Sequence, residues 1–237
     1  MYESSSLKSK ISSQLLYGEK FKILYKKKQF IKIKTDYDNY TGYIKLSKFI
    51  NKFRETHKVK VLKSRILKNP NYLRKSKTKK FLPFSSNIEI IKKKKKFVMF
   101  EKNKWLNSKD IKPIDQKDQN ILKILKLFLN CKYTWGGKTF NGIDCSALIQ
   151  LFYKFNNNFF PRDTVDQIKF KKGVKRKVKF KLGDIIYWKG HVAVCINSKE
   201  LIHAYGPRKK VLIMPIKKTI KLVKDTANLE VKKIFSV

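Results

Sequence analysis

With 237 residues, 42% of them hydrophobic, the chain can build real cores in two or three modules. No uninterrupted apolar run approaches the 18 residues of a membrane-spanning helix, so no transmembrane segment is expected. A net charge of +41 would ordinarily point to nucleic acid, but 52 of the 58 basic residues are Lys, and Ile, Asn, Phe and Tyr are also abundant. These residue types share A/T-rich codons, so genome composition accounts for the charge and nucleic acid is not the expected partner.

The N-terminus, MYESSSLKSKISSQLLYGE, has no apolar run able to serve as a secretory signal, and the chain as written is expected to stay in the cytoplasm. Residues 1–52 read as a small all-β module. Lys20–Tyr25 and Gln29–Lys34 alternate as strands, 36–42 carries turn residues, and Tyr43–Leu46 returns as a strand. Short strands at this spacing suggest a small barrel. Residues 53–113 read as a second, more divergent barrel with strands at His57–Leu62, Asn87–Ile91 and Phe97–Glu101. The Lys- and Ser-rich stretch 74–80 is expected to be a loop, as is the Lys run 92–96, and Ile111–Lys112–Pro113 reads as the exit from the module. His57 belongs to this module.

From 114 to 237 the pattern changes. Residues 115–130 are expected to be helical, capped by Asp115 or Asp118, with Ile121, Leu122, Leu125, Phe128 and Leu129 as the apolar stripe. The segment YTWGGKTFNGIDCSALIQLFY, 133–153, then runs through two turns into Asp144-Cys145-Ser146. Leu148, Ile149, Leu151, Phe152 and Phe155 follow at helical spacing, which places Cys145 in the first turn of a buried helix. There the free N–H groups and the helix dipole are expected to lower the thiol pKa from about 8.5. Asp144 reads as a possible N-cap. Thr164–Ile168 can start a short helix, and 169–179 reads as a basic loop. Strands follow at 185–188, His191–Asn197 and Leu201–Ala204, with 211–216 and 231–235 completing a sheet. The 191–204 hairpin puts His191 and His203 on adjacent antiparallel strands, which lie about 4.8 Å apart, close enough for side chains to touch. A nucleophilic thiol needs a base, and the base needs an orienting group. Cys145, His191 and His203 fill those three places. The other two cysteines, Cys131 and Cys195, read as core residues, and nothing calls for a disulfide, a metal site or a cofactor.

Tyr133-Thr134-Trp135-Gly136-Gly137, Asp144-Cys145-Ser146, Gly190-His191-Val192 and Ile202-His203-Ala204, in this order and spacing and with Pro161-Arg162-Asp163-Thr164 between them, resemble the NlpC-like family of bacterial cell-wall cysteine peptidases. Ala147 departs from the family, which usually has Gly there. The resemblance implies an α+β, papain-like catalytic domain with His as third residue in place of Asn. The phrases Gln14-Leu15-Leu16-Tyr17-Gly18-Glu19 and Asp38-Asn39-Tyr40-Thr41-Gly42-Tyr43 look like the bacterial SH3-like domain that often precedes it. The resemblance further implies cleavage of the bond between γ-D-glutamate and a diamino acid in peptidoglycan-derived peptides with a free N-terminal L-alanine, as in cell-wall recycling. Tyr133 would then be an oxyanion donor beside the Cys145 N–H. Asp144 and Ser146 would bind the substrate ammonium group, with Asp38 or Tyr40 of the first SH3-like module closing that subsite. The competing readings are a cell-wall or polyanion-binding module with a vestigial catalytic half, and an amidase or acyltransferase on the same fold.

Overall fold

The computed structural model describes residues 1–50, 52–70 and 77–236 and divides the chain into two compact units. The first comprises Met1–Lys117 together with Phe155–Asn157. Its opening sheet is an antiparallel meander of β1 (Phe21–Lys27), β2 (Phe30–Thr35) and β3 (Thr41–Lys45). The central strand carries the apolar anchors Phe30, Ile31 and Ile33, all buried, as its hydrophobic pattern requires.

Among the described residues, eight further strands follow in this unit: β4 (His57–Val59), β5 (Lys63–Leu67), β6 (Lys77–Pro83), β7 (Asn87–Ile88), β8 (Lys92–Lys94), β9 (Phe97–Glu101), β10 (Lys104–Asn107) and β11 (Ile111–Pro113). They form a five-stranded sheet, β6-β5-β10-β9-β8, and a three-stranded sheet, β11-β4-β7. The two share one core of Val59, Leu82, Ile88, Val98, Phe100, Leu106 and Ile111. Two lysine-rich segments differ from the sequence expectation. Residues 77–80 belong to β6, and 92–94 form β8; the expected loop at 74–76 lies outside the described residues. Both strands are edges of the five-stranded sheet. Lysines suit that position, because charged side chains keep an exposed edge from recruiting another strand. The exit Ile111–Pro113 is itself a strand, paired with β4.

The second unit comprises Asp118–Lys154 and the chain from Asn158 onward. Its first helix, α1 (Ile121–Lys126), is shorter than the sequence suggests. Asn120 is the cap, its Oδ1 accepting from the Lys123 N–H at 2.9 Å, and Asn130 takes a left-handed φ of 65° soon after the helix ends. Ile121, Ile124, Leu125 and Phe128 are buried, whereas Leu129 is exposed. The short strands β12 (Lys138–Thr139) and β13 (Gly142–Ile143) lead into α2 (Cys145–Phe155), which is buried along its whole length. A one-turn helix, α3 (Thr164–Gln167), precedes the sheet of β14 (Asp184–Trp188), β15 (His191–Cys195), β16 (Glu200–Tyr205), β17 (Lys210–Pro215) and β18 (Lys233–Ser236). The sheet is antiparallel throughout, in the order β17-β16-β15-β14-β18. A further helix, α4 (Ile216–Ala227), was not anticipated. It buries Ile216, Thr219 and Val223 and ends at Asn228 in the left-handed conformation. The α+β arrangement read from the sequence is the one observed. No helix among the described residues is long and apolar enough to cross a membrane.

Candidate active site

The loop ahead of α2 is held by close backbone approach. A Cβ on Gly142 would lie 2.0 Å from Thr134 Oγ1, and one on Gly137 would lie 2.4 Å from the Gly142 carbonyl oxygen, so both positions require glycine. Tyr133 bridges to Ile143, tying the start of the loop to its end. Asp144 then caps α2. Its Oδ1 accepts from the Ala147 N–H at 2.8 Å and from Ser146 Oγ at 3.0 Å, and its Oδ2 accepts from the Gly136 N–H at 2.9 Å. Arg162 completes the carboxylate as a fork, with Nη1 to Oδ1 at 3.0 Å and Nη2 to Oδ2 at 2.5 Å, and Nη1 also reaches Ser146 Oγ at 2.8 Å. All three side chains are buried. Both carboxylate oxygens are thus engaged. The geometry gives Asp144 and Ser146 the work of fixing the start of α2.

Cys145 is the first residue of α2, as expected, but its acidity is not. Burial pushes the thiol up to about 12, with the Asp144 charge adding to the rise. Backbone hydrogen bonds from Val192 and Ser146, and the Arg162 charge, pull the other way. A thiol held that firmly disfavours the free thiolate by about 4 kcal/mol, more than the ~0.3–2 kcal/mol a helix N-terminus returns. Burial thus biases the resting sulfur toward the neutral thiol, and attack calls for a base to take its proton.

A candidate for that base lies within the sheet. Lys189 and Gly190 form the two-residue turn between β14 and β15, with Gly190 at φ 73°, and His191 opens β15 opposite Trp188. Val192, the next residue, directs its N–H to the Cys145 sulfur. His191 Nε2 lies 3.0 Å from Nδ1 of His203 on β16, as the hairpin predicts. His203 is wholly buried and stacks on Tyr205, with ring centroids 4.7 Å apart. Burial lowers His191 to about 4. Burial and the neighbouring His191 lower His203 to about 3. Both imidazoles are neutral near pH 7, which leaves His191 able to accept a proton. Stability carries the same signature. A histidine held below its unfolded value of about 6.5 costs nothing above that pH and destabilises as pH falls toward its folded value. For His203 the loss is about 2–3 kcal/mol between pH 6.5 and 4.5. Urea denaturation at these two pH values should show it, and the His203→Gln protein should lose less over the same interval.

Tyr133 lies within electrostatic reach of Cys145. Burial, Cys145 and Asp144 all push its hydroxyl well above the ordinary phenol range, so it stays a proton donor. Asp38 and Tyr40 sit in the β2–β3 connection of the first unit, where Asp38 Oδ1 accepts from Thr35 Oγ1 and from the Tyr40 N–H at 3.3 Å. Three contributors were missed from sequence. Arg162 was quoted only as part of a motif. Gln167 donates from Nε2 to the Ser146 carbonyl at 3.0 Å and the Pro161 carbonyl at 2.8 Å, tying the 161–167 segment to α2. Met214 places Sδ 3.3 Å from His203 Nε2. Cys131 and Cys195 are buried, as expected.

A cysteine at the head of a buried helix and paired histidines on neighbouring antiparallel strands thus share one α+β domain. More narrowly, residues 130–226 match the model of the NlpC/P60 family, and residues 1–49 match that of the bacterial dipeptidyl-peptidase SH3 domain. The gamma-D-glutamyl-L-lysine dipeptidyl-peptidase of Bacillus subtilis is 29% identical over 128 residues, covering 49% of this chain and 43% of that protein. The protein of the same name from Bacillus cereus is 30% identical over 105 residues, covering 41% and 31%. The matched part is thus less than half the length of these relatives. A crystal structure of an NlpC/P60 family protein from Bacillus cereus has the same fold, with a TM-score of 0.73 at 21% identity over 86% of this chain and 77% of that one.

Proposed function

We propose that the chain is a cysteine peptidase that hydrolyses the γ-D-glutamyl–diamino acid bond of peptidoglycan-derived stem peptides. The observation that carries the reading is the His191–His203 pair, 3.0 Å apart on adjacent strands, with the N–H of Val192, next to His191, hydrogen-bonded to the Cys145 sulfur. The names of the two Bacillus relatives support the bond assignment.

In this reading His191 Nδ1, the ring nitrogen not engaged by His203, takes the Sγ proton as sulfur attacks the carbonyl carbon. Proton transfer inside the pair creates two opposite charges side by side, each stabilising the other, so the buried site tolerates them together where it resists either alone. The Cys145 N–H has no intrahelical acceptor at its first-turn position. With the Tyr133 hydroxyl it stabilises the developing oxyanion. The imidazolium then returns the proton to the leaving amine, leaving a thioester on Cys145. Water, deprotonated by His191, hydrolyses the thioester and restores the thiol.

Mass spectrometry of products from the tripeptide L-Ala-γ-D-Glu-diamino acid, beside its N-acetylated twin, tests the proposal. The expected result is release of L-Ala-γ-D-Glu from the free peptide alone, which would mark a recycling enzyme acting on released fragments. Equal cleavage of both peptides would make intact cell wall the better substrate. Cleavage of neither would overturn the bond assignment.

A further inference from the structure

His191, His203 and Met214 lie on three consecutive strands of the sheet, β15, β16 and β17. The register sets Val194 opposite Ile202 and His203 opposite Leu212. Continued toward His191, it puts His203 opposite Ala193. Each of the three residues is therefore displaced by two positions from the last, and because side chains alternate faces with period two, all three project from the same face along one diagonal. The contacts follow that diagonal, with His191 Nε2 3.0 Å from His203 Nδ1 and His203 Nε2 3.3 Å from Met214 Sδ.

The last contact has a direction that the first lacks. Between two imidazoles either ring can donate, but a thioether sulfur has no proton and can only accept. His203 is wholly buried, so an unprotonated Nε2 facing that sulfur would be a buried acceptor without a donor. Nε2 of His203 must then carry its proton, its Nδ1 must accept, and Nε2 of His191 must donate. Nδ1 of His191 is left unprotonated.

The geometry points to Met214 as a positioning residue that fixes the tautomers of both histidines and so keeps His191 Nδ1 free to act as base. This rests on the reading of Cys145 and His191 as nucleophile and base, but the tautomer assignment can be tested without turnover. Long-range ¹H–¹⁵N spectra of the resting full chain at pH 7 should show both His191 and His203 protonated at Nε2. A Met214→Leu protein keeps the side-chain volume and removes the acceptor. It should show mixed tautomers at both rings, because losing one modest hydrogen bond changes their ratio about five- to tenfold, with kcat on the tripeptide lowered about twofold as the competent tautomer falls to roughly half, and KM unchanged. A proton on Nδ1 of His203 in the unaltered protein would overturn the inference, and so would unchanged tautomers in the leucine variant. The unaltered protein alone can decide the matter if the variant does not fold. Failure of the tripeptide to be cut would count against the proposed bond and leave the spectra to judge Met214.

Discussion

Replacing Cys145 with alanine should lower turnover of a γ-D-glutamyl tripeptide by at least about 10⁴-fold, because nucleophile and base act as one unit and neither works without the other. His191→Ala should fall equally far, and the double variant should be scarcely worse than either single one. That non-additivity separates a shared catalytic unit from two residues that merely support the fold, whose effects would accumulate. The fold should survive the change. Cys145 is a small buried side chain at the start of a helix whose cap, Asp144, makes its hydrogen bonds without it. Thermal unfolding should therefore shift by only a few degrees. Cys145→Ser is the sharper variant, since it keeps the shape and changes only the atom that attacks. A vestigial catalytic half predicts no turnover to lose in the unaltered chain. Full activity in Cys145→Ala would remove the residue from the role of nucleophile.

The parts of the site that were legible in the sequence are those set by local periodicity. The apolar spacing from Leu148 to Phe155 fixed α2 and put Cys145 at its first residue. The short Ser198-Lys199 connection implied the hairpin that brings His191 and His203 together. What was not legible depends on packing. The Cys145 acidity went the wrong way because helix position can be read from a sequence whereas burial of the sulfur cannot. Helix α4 was hidden because Ile216, Ile220 and Val223 are set among four lysines between two strand-like runs, and only packing makes that sparse stripe decisive. Lysine also misled at β6 and β8, where charge was read as a loop although an edge strand accommodates it. Arg162 did leave a signal. In a chain with 52 Lys and only 6 Arg, an arginine marks a place where a single ammonium charge does not suffice.

That signal leads to the largest stability effect expected outside the catalytic residues. Arg162→Ala should destabilise the second unit by about 3–5 kcal/mol, because it leaves the Asp144 carboxylate buried without its counter-charge. Set against a typical total of about 5–15 kcal/mol, the loss is a large fraction of what holds such a domain together. Arg162→Lys should recover only part of it. One ammonium cannot make the two parallel bonds to Oδ1 and Oδ2 while also reaching Ser146 Oγ. Removing both charges separates the value of the pair from the cost of orphaning one member. Arg162→Ala with Asp144→Ala should be less destabilising than the sum of the singles, since neither charge is then stranded. Urea unfolding followed by fluorescence in a Trp105→Phe, Trp135→Phe background reads this unit, because the remaining Trp188 is buried in its sheet. Additive losses would mean that Arg162 and Asp144 act separately. Coupling between them would mean that the charge fixing the Asp144 cap also fixes the next residue, so that part of the precision of Cys145 is set by an arginine 17 positions away in sequence.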